Sequence, residues 1–201
     1  MSLSMPETAR RLFFALWPDD PSRTALVRAT RKAVRHSGGR PVAEHNLHAT
    51  LLFLGSVAES RVSEVAAIGA HVAAGTLAAH DDSSSPAFVF DRIELFQKAH
   101  VLVATTSASS GAGHLLANAL AGSLQRETSR AGFTPDLKPF RPHVTLARKV
   151  AFLKTVLRME PVAWRFAAFA LVESRTDPDG PVYTVLQSYS LETHGAAEPR
   201  S

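Results

Sequence analysis

Two near-identical pentapeptides constrain the fold of this chain more than any other feature of its sequence. The first is His-Ala-Thr-Leu-Leu at residues 48–52 and the second is His-Val-Thr-Leu-Ala at residues 143–147. Each opens an apolar run that predicts a β-strand. Because side chains alternate between the two faces of a strand, the histidine and the threonine of each pentapeptide share a face. If the two strands lie side by side, two imidazoles and two hydroxyls converge on one cleft.

The order of the predicted elements around the two pentapeptides repeats. A strand, a helix and a loop precede each of them, and Leu12 and Val101 occupy corresponding places in the two leading strands. The repeat lies in the pattern rather than in the identity of the residues. It predicts two lobes related by a pseudo-twofold axis, with equivalent strands meeting at the axis and a cleft lined by both halves.

Local signals predict the remaining elements. Residues 11–17 form a compact apolar run typical of a buried strand, and Asp20 followed by Pro21 predicts the start of a helix. Beyond the second pentapeptide, a short helical stretch is predicted over residues 150–158. A hairpin of strands 164–172 and 182–191, turning at residues 177–180, is predicted after it.

The domain organisation predicted from this pattern is simple. We expect one two-lobed domain over residues 6–193, preceded by a leader at residues 1–5 with the natural start at Met5. A loose polar tail is expected over residues 194–201.

Composition narrows the class of protein. The absence of cysteine excludes disulfides, thiolate chemistry and cysteine-ligated zinc, and it fits a cytoplasmic protein. No run of eighteen apolar residues predicts a membrane span, so no membrane partner is expected. The formal charge of +4 and the sequence pI of about 9.8 are compatible with a phosphate-bearing partner and equally with an ordinary arginine-rich surface.

The paired residue types suit acid–base chemistry at phosphorus. An imidazole has an unperturbed pKa of about 6.5, so His48 and His143 can serve as base and acid at the two ends of an in-line displacement. Thr50 and Thr145 can donate to the non-bridging oxygens. Arg141 and Arg148 flank the second pentapeptide and would add a positive field. In a regular strand, however, Arg148 alternates onto a different face from His143.

Structural readings of the same residues stay open. A single His-x-Thr in a strand is commonly a histidine satisfied within a sheet, and threonine suits strands for its β-branching alone. The occurrence of two copies in matching places of a repeat favours the functional reading. Two histidines, His45 and His48, are three apart, but residues 41–46 are predicted to form a loop and only Glu44 stands nearby as a further ligand. We therefore expect no metal and no cofactor.

These residues resemble a known family. The pair of His-x-Thr motifs looks like the double signature of the 2H phosphoesterase superfamily. The wider context, which spans most of residues 11–191, resembles the RNA 2′,3′-cyclic phosphodiesterases that are also called 2′-5′ RNA ligases. The segments that carry the resemblance are RLFFAL at residues 11–16, NLHATLLFLG at residues 46–55, FRPHVTLAR at residues 140–148 and FALVES at residues 169–174.

The resemblance implies a bilobal α+β fold with antiparallel-type sheets around a central cleft and metal-independent hydrolysis of RNA 2′,3′-cyclic phosphate ends to 2′-phosphate ends. It implies that His48 is the general acid and His143 the base, roles that the near-symmetric motifs leave open by themselves. It also implies that Thr50 and Thr145 bind the phosphate. Many members of the family carry a lysine where Leu52 stands, so a basic contact is expected to be missing.

Two other functions fit the same residues. One is 2′-5′ ligation, in which an RNA 5′-hydroxyl replaces water as the nucleophile. The other is a binding module that holds RNA or nucleotide ends without turning them over. We expect RNA or nucleotides with 2′,3′-cyclic phosphate ends as partners and a monomeric protein.

Overall fold

The computed structural model describes residues 8–79, 86–107, 111–153, 155–177 and 180–191. Within these residues there are three α-helices: α1 (Asp20–His36), α2 (Val62–Ala79) and α3 (Ala112–Arg130). The strands are β1 (Ala9–Leu16), β2 (Arg40–Pro41), β3 (Ala49–Ala58), β4 (Ala87–Phe96), β5 (Val101–Thr105), β6 (His143–Arg148), β7 (Leu157–Arg165), β8 (Ala168–Asp177) and β9 (Gly180–Ser190).

The strands form two antiparallel sheets that repeat one arrangement. One sheet has the order β3-β1-β8-β9 and the other has the order β2-β6-β5-β4-β7. Apart from the two-residue β2, the first strand of each sheet belongs to a His-x-Thr motif: β3 begins directly after His48, and β6 begins at His143. The second strand, β1 in one sheet and β5 in the other, lies earlier in the same half of the chain. The predicted α+β architecture of two related lobes with antiparallel-type sheets is therefore confirmed.

The strand β1 shows how sequence alternation builds this architecture. Leu12, Phe14 and Leu16 are fully buried in the main hydrophobic core. The alternate residues Phe13 and Ala15 belong to a second, smaller apolar cluster on the other face of the sheet. A strand that is apolar on both faces lies between layers. Here one layer is the helix-covered core, and the other is the floor of the cavity described below.

The first helix begins one residue earlier than predicted. The carboxylate of Asp19, rather than that of Asp20, accepts a hydrogen bond of 2.7 Å from the backbone N–H of Ser22 and so caps α1. The helix ends at His36, and Gly38 just beyond it has a φ of 65°, a left-handed conformation that costs glycine little. Although α1 follows a strand of the first sheet, it packs against β7 of the second, which joins the two lobes.

The chain after Arg148 differs from the prediction. The helical stretch predicted over residues 150–158 is wrong, because no helix occurs in its described part and β7 begins at Leu157. Leu153 and Leu157 have helical spacing, yet β7 pairs with the edge of β4 and buries Val162 and Trp164 against the core. The predicted strand 164–172 is also wrong, since β7 ends at Arg165 and β8 starts in the other sheet at Ala168.

The predicted final hairpin is present. Strands β8 and β9 pair antiparallel from Ala168↔Ser190 to Asp177↔Gly180, which leaves a two-residue connection. The residues of that connection, the leader at residues 1–5 and the tail at residues 194–201 lie outside the described residues. None of the described helices combines the length and the apolar character needed to span a membrane.

Candidate active site

A cavity of about 780 Å³ opens beside both motif strands. Four of the six site residues predicted from the sequence contribute to its lining: His48, Thr50, Thr145 and Arg148. They come from β6, from the start of β3 and from the residue directly before β3, and these two strands lie next to each other. His143 and Arg141 are not among the lining residues. The cavity therefore takes residues from both pentapeptides but does not include the second histidine, although the charge of His143 contributes to lowering the pKa of His48.

His48 is half-buried in an aromatic enclosure. Trp17 stacks on the imidazole with ring centroids 5.1 Å apart and an interplanar angle of 11°. Phe13 lies 5.1 Å away at a tilt, and Tyr183 meets the imidazole edge-on, also at 5.1 Å. These rings come from β1, from the residue after β1 and from β9, so three segments of the first sheet hold one imidazole in place.

His143 has a different neighbourhood. Phe96 is the one aromatic ring packed against it among the described residues, with centroids 5.1 Å apart. Its cross-strand neighbour is Thr105, whose hydroxyl donates a hydrogen bond of 2.7 Å to Glu94. Among the described residues, His143 therefore has one aromatic neighbour where His48 has three, and polar groups lie beside it.

The two imidazoles nevertheless share one hydrogen-bonding arrangement. His48 Nδ1 lies 2.7 Å from the carbonyl oxygen of Asn46, and His143 Nδ1 lies 2.7 Å from the carbonyl oxygen of Arg141. A carbonyl only accepts, so Nδ1–H is the donor in both cases. In a neutral ring this arrangement leaves Nε2 without a proton and able to act as a base.

The surroundings lower the pKa of both histidines. Burial lowers the pKa of His48 to about 4, and the positive charges of Arg148 and His143 add to this effect against the opposing hydrogen bond to Asn46. Burial also lowers the pKa of His143, helped by the charge of Arg141 and opposed by the hydrogen bond to its carbonyl. At pH 7 both imidazoles are therefore mainly neutral.

The two threonines lie where their alternation with the histidines predicts. Thr50 and Thr145 are half-buried and line the cavity, whereas Ala49 and Val144 are fully buried in the core. Neither threonine hydroxyl makes a hydrogen bond to another residue in the described part of the chain. Both hydroxyls are therefore free to bind a ligand.

Arg148 reaches the cavity because β6 is irregular. Thr145 pairs with Val103 but Ala147 pairs with Leu102, so Leu146 is an extra residue in the ladder, as in a β-bulge. The bulge reverses the alternation after Thr145, and the expectation that Arg148 points to another face is wrong. Its guanidinium donates a hydrogen bond of 3.1 Å to the Tyr183 hydroxyl, while its buried Nε has no hydrogen-bond partner among the described residues.

Arg141 lies beside His143 but is neutralised. Its guanidinium pairs with the Glu94 carboxylate at 2.7 Å and lies over the Phe96 ring, and its side chain is 60% exposed. Because this charge already has a partner and does not line the cavity, the structure does not bring Arg141 together with the other predicted phosphate ligands.

The expected loss of a basic contact at Leu52 is not supported. Leu52 is 5% exposed and belongs to the main hydrophobic core, so its side chain faces away from the cavity. A lysine at this position would have no access to a ligand bound there.

Several residues near His48 have no role predicted from the sequence. Phe13, Trp17 and Tyr183 enclose His48, and Phe13 and Tyr183 line the cavity together with Arg11 and Phe53. Part of the signal is present in the sequence, because Arg11, Phe13 and Ala15 alternate along β1, the strand that pairs with β3. The pairing of β1 with β3 has to be known before that signal can be interpreted. No cluster of three or more His, Asp or Glu side chains suited to a metal ion occurs within the described ranges.

Comparisons with known proteins identify the family of this chain. The family model described as the 2′-5′ RNA ligase superfamily matches residues 17–178. This chain belongs to that superfamily. A Thermus thermophilus protein named RNA 2′,3′-cyclic phosphodiesterase is 34% identical, with 92% of each chain covered, and an Escherichia coli protein of the same name is 26% identical over 90% of this chain and 97% of its own.

Solved structures of superfamily members share the fold. Escherichia coli LigT complexed with 3′-AMP has a TM-score of 0.71 at 25% identity, and TT0787 of Thermus thermophilus has a TM-score of 0.71 at 32% identity. Each match covers 92% of this chain and 100% of the other chain. The two-lobed architecture is thus the architecture of the superfamily.

Proposed function

We propose that this protein hydrolyses RNA 2′,3′-cyclic phosphate ends to 2′-phosphate ends without a metal ion, using His48 and His143 as an acid–base pair. The observation that carries the proposal is the single cavity lined by residues of both His-x-Thr strands. Three relatives named RNA 2′,3′-cyclic phosphodiesterase, from Thermus thermophilus, Escherichia coli and Aeropyrum pernix, support the choice of substrate.

The proposed reaction is an in-line displacement at phosphorus. Nε2 of one imidazole removes a proton from water, the water oxygen forms a bond to phosphorus, and the bond from phosphorus to O3′ breaks. The other imidazole gives its proton to O3′, so the products are a 2′-phosphate and a 3′-hydroxyl. Following the family resemblance, we assign the acid to His48 and the base to His143.

The acid must gain a proton before the reaction, because both rings are neutral in the free site at pH 7. The substrate is itself an anion, and a negative charge next to an imidazole raises its pKa. Binding of the cyclic phosphate therefore favours protonation of the ring beside it. The rate should peak at intermediate pH, because one ring has to be charged and the other neutral.

The remaining groups fit the charge that develops on the phosphate. Thr50 and Thr145 supply hydroxyl donors without competing hydrogen bonds in the described part of the chain. Arg148 supplies a positive charge that lines the same cavity. Donors that are already oriented toward the non-bridging oxygens stabilise the transition state more than flexible ones do. Arg141 is assigned a smaller part because Glu94 pairs with it.

The same site suits 2′-5′ ligation as a second function, which the description of the matching superfamily favours. In that reaction an RNA 5′-hydroxyl takes the place of water. The proposal further treats residues 6–193 as one catalytic unit active as a monomer, because both motifs belong to one chain, and places the protein in the cytoplasm.

Product analysis tests the proposal. The purified protein is incubated at neutral pH with an oligoribonucleotide that ends in a 2′,3′-cyclic phosphate, with and without a 5′-hydroxyl acceptor strand, in EDTA. We expect a 2′-phosphate end in both reactions. Ligated product in excess of 2′-phosphate would reverse the order of the two functions. Recovery of the cyclic end intact, together with measurable binding, would instead identify a binding module.

A further inference from the structure

One row of paired residues crosses the second sheet from the second motif to the far edge. His143 on β6 pairs with Thr105 on β5, which pairs with Arg92 on β4. Arg92 in turn pairs with Arg158 on β7. Residues that pair directly across strands project to the same face of a sheet. Arg92 and Arg158 (the arginine pair) therefore share a face with the second motif histidine, and neither belongs to the lining of the cavity.

This face of the second sheet is turned away from the main hydrophobic core. Ile93 and Val144, which alternate with members of the row, are buried in that core from the opposite face. Arg92 is half-buried and Arg158 is exposed. Because neighbouring strands lie about 4.8 Å apart, the backbones of the arginine pair lie about 10 Å and about 14 Å from that of the histidine. A few nucleotides of an extended strand span this distance.

The carboxylates on the same strand as Arg92 have other partners. Glu94 accepts hydrogen bonds of 2.7 Å from the Thr105 hydroxyl and from the Arg141 guanidinium. Asp91 accepts a hydrogen bond of 2.8 Å from the backbone N–H of Ser107 and another from the hydroxyl of that residue. Neither member of the arginine pair makes an ion pair or a side-chain hydrogen bond with a residue of the described chain. Like charges directly opposite each other destabilise a sheet, and an anion bound between them relieves the repulsion.

The corresponding row of the first sheet carries no charged side chain. Its members are His48, Trp17 directly after β1, Ala168 on β8 and Ser190 on β9. Only the row of the second sheet therefore offers positive charge to an anionic chain that leaves the cavity.

We propose that the arginine pair binds the phosphates of the RNA chain on the 5′ side of the reacting end. RNA that ends in a 2′,3′-cyclic phosphate continues from its terminal nucleotide in the 5′ direction only, and each further linkage carries a negative charge. Contacts between guanidinium groups and phosphates position a strand without reading its sequence. The arginine pair thus favours a polynucleotide over a mononucleotide. This rests on the proposed function, because it takes RNA as the substrate.

The test compares three substrates that share the reacting end and differ in the charge beyond it. They are adenosine 2′,3′-cyclic phosphate, a tetra-adenylate with the same cyclic end, and that tetranucleotide with uncharged methylphosphonate linkages. Both tetranucleotides carry 2′-O-methyl groups on the internal riboses, so that their linkages are stable. We expect Arg92→Gln together with Arg158→Gln to raise KM for the charged tetranucleotide about tenfold, with little change in kcat. The kinetics of the other two substrates should stay within about twofold.

Salt dependence gives a second measure of the same contacts. The logarithm of kcat/KM for the charged tetranucleotide should fall with the logarithm of the salt concentration, and the slope should become shallower by about 0.7 for each arginine replaced. Replacing both arginines by lysine keeps two point charges and should retain most of the low KM.

A matched double variant controls for the loss of two positive charges. Arg31→Gln together with Arg35→Gln removes two exposed arginines of α1, the helix that packs against β7. It should leave KM for all three substrates unchanged. Thermal unfolding of each variant shows whether the fold has been preserved. Should the Arg92/Arg158 double variant unfold, the two single variants take its place, each with an expected rise in KM of about threefold.

The outcomes separate this proposal from the proposed function. An equal rise of KM for all three substrates, no rise for any, or an equal rise in the control variant would overturn the RNA-binding role of the arginine pair. If the unaltered protein hydrolyses none of the substrates, the proposed function fails, and fluorescence anisotropy with a labelled tetra-adenylate ending in a 2′-phosphate takes over as the test. Weaker binding by the Arg92/Arg158 variant than by the control variant supports the proposal, and equal binding by both overturns it.

Discussion

The two halves of the molecule surround their motif histidines with different side chains. His48 packs against Trp17, Phe13 and Tyr183. Among the described residues, His143 packs against the single ring of Phe96, and its cross-strand neighbour is Thr105, which is hydrogen-bonded to Glu94. The backbone arrangement is the same on both sides, down to the Nδ1–H bond to the carbonyl two residues earlier. The repeated backbone arrangement thus holds the two imidazoles in equivalent positions, while the neighbouring side chains give them different surroundings and different pKa shifts. The inequality matters because acid and base need different protonation states.

Arg148 extends this comparison, and replacing it should have a large effect on activity. Arg148→Met removes the unpaired positive charge from the cavity, so we expect kcat/KM to fall about 100-fold for any 2′,3′-cyclic phosphate, with or without a base. Arg148→Lys should recover part of the loss. Steady-state kinetics on adenosine 2′,3′-cyclic phosphate and on 1-O-methylribofuranose 2,3-cyclic phosphate, which has no base, check this. A loss restricted to the adenosine substrate would show that Arg148 does not act on the phosphate.

The unequal pKa values should appear in folding stability. Below pH 6.5 the unfolded chain binds a proton at His48 that the folded chain takes up only near pH 4, so stability falls as the pH is lowered through this window. The loss attributable to His48 is about 3 kcal/mol at most. Urea unfolding between pH 4 and pH 7.5 should therefore be less pH-dependent for His48→Gln than for the unaltered protein.

His143→Gln is the internal control for that experiment. The pKa of His143 is lowered in the same direction but in a more polar setting, so its replacement should flatten the pH dependence less. Equal flattening by the two variants would show that the aromatic enclosure does not distinguish the histidines.

A smaller effect is expected from the hydrogen bond between Arg148 and Tyr183, one of the rings packed against His48. Tyr183→Phe keeps the ring against His48 but removes the hydroxyl that accepts from Arg148 at 3.1 Å. One such hydrogen bond corresponds to roughly a two- to tenfold loss in kcat/KM. Neither limb of the pH–rate curve should move, because the ring remains against His48. A shifted limb would indicate that the hydroxyl acts on a catalytic imidazole itself.

Arg141 should contribute least. Its charge is paired with Glu94 and its side chain is 60% exposed, so we expect Arg141→Ala to change kcat/KM by less than about fivefold. The matched comparison is Arg148→Met, measured on the same substrate. If both variants lose activity equally, Arg141 must leave Glu94 and reach the phosphate when substrate binds.

The sequence predicts the parts of this molecule that depend on local pattern. The alternation of β1, the His-x-Thr strands and the final hairpin follow from side-chain periodicity and turn residues. The helix predicted over residues 150–158 fails because pairing with β4, a contact distant in sequence, decides the conformation of β7. The prediction that Arg148 lies on a different face from His143 fails for a related reason, because the extra residue at Leu146 leaves no signature in the sequence.

The candidate site also contains residues that could be predicted from the sequence and residues that could not. His48, Thr50 and Thr145 could be predicted because each motif places its own residues on one face. The enclosure of His48 could not, because Trp17 directly follows β1 and Tyr183 lies on β9, and the order of these strands in the sheet is set by the whole fold. Long-range pairing, rather than any property of the residues themselves, separates what was predicted from what was missed.

The central claim is that the two imidazoles act together on one phosphorus atom. Hydrolysis of adenosine 2′,3′-cyclic phosphate by His48→Ala, His143→Ala and the double variant tests it most directly. We predict that each single substitution lowers kcat by roughly 100- to 10,000-fold and that the double variant is little worse, because groups that act as a unit are not additive. A near-normal rate in either single variant, or two losses that simply multiply, would contradict the account.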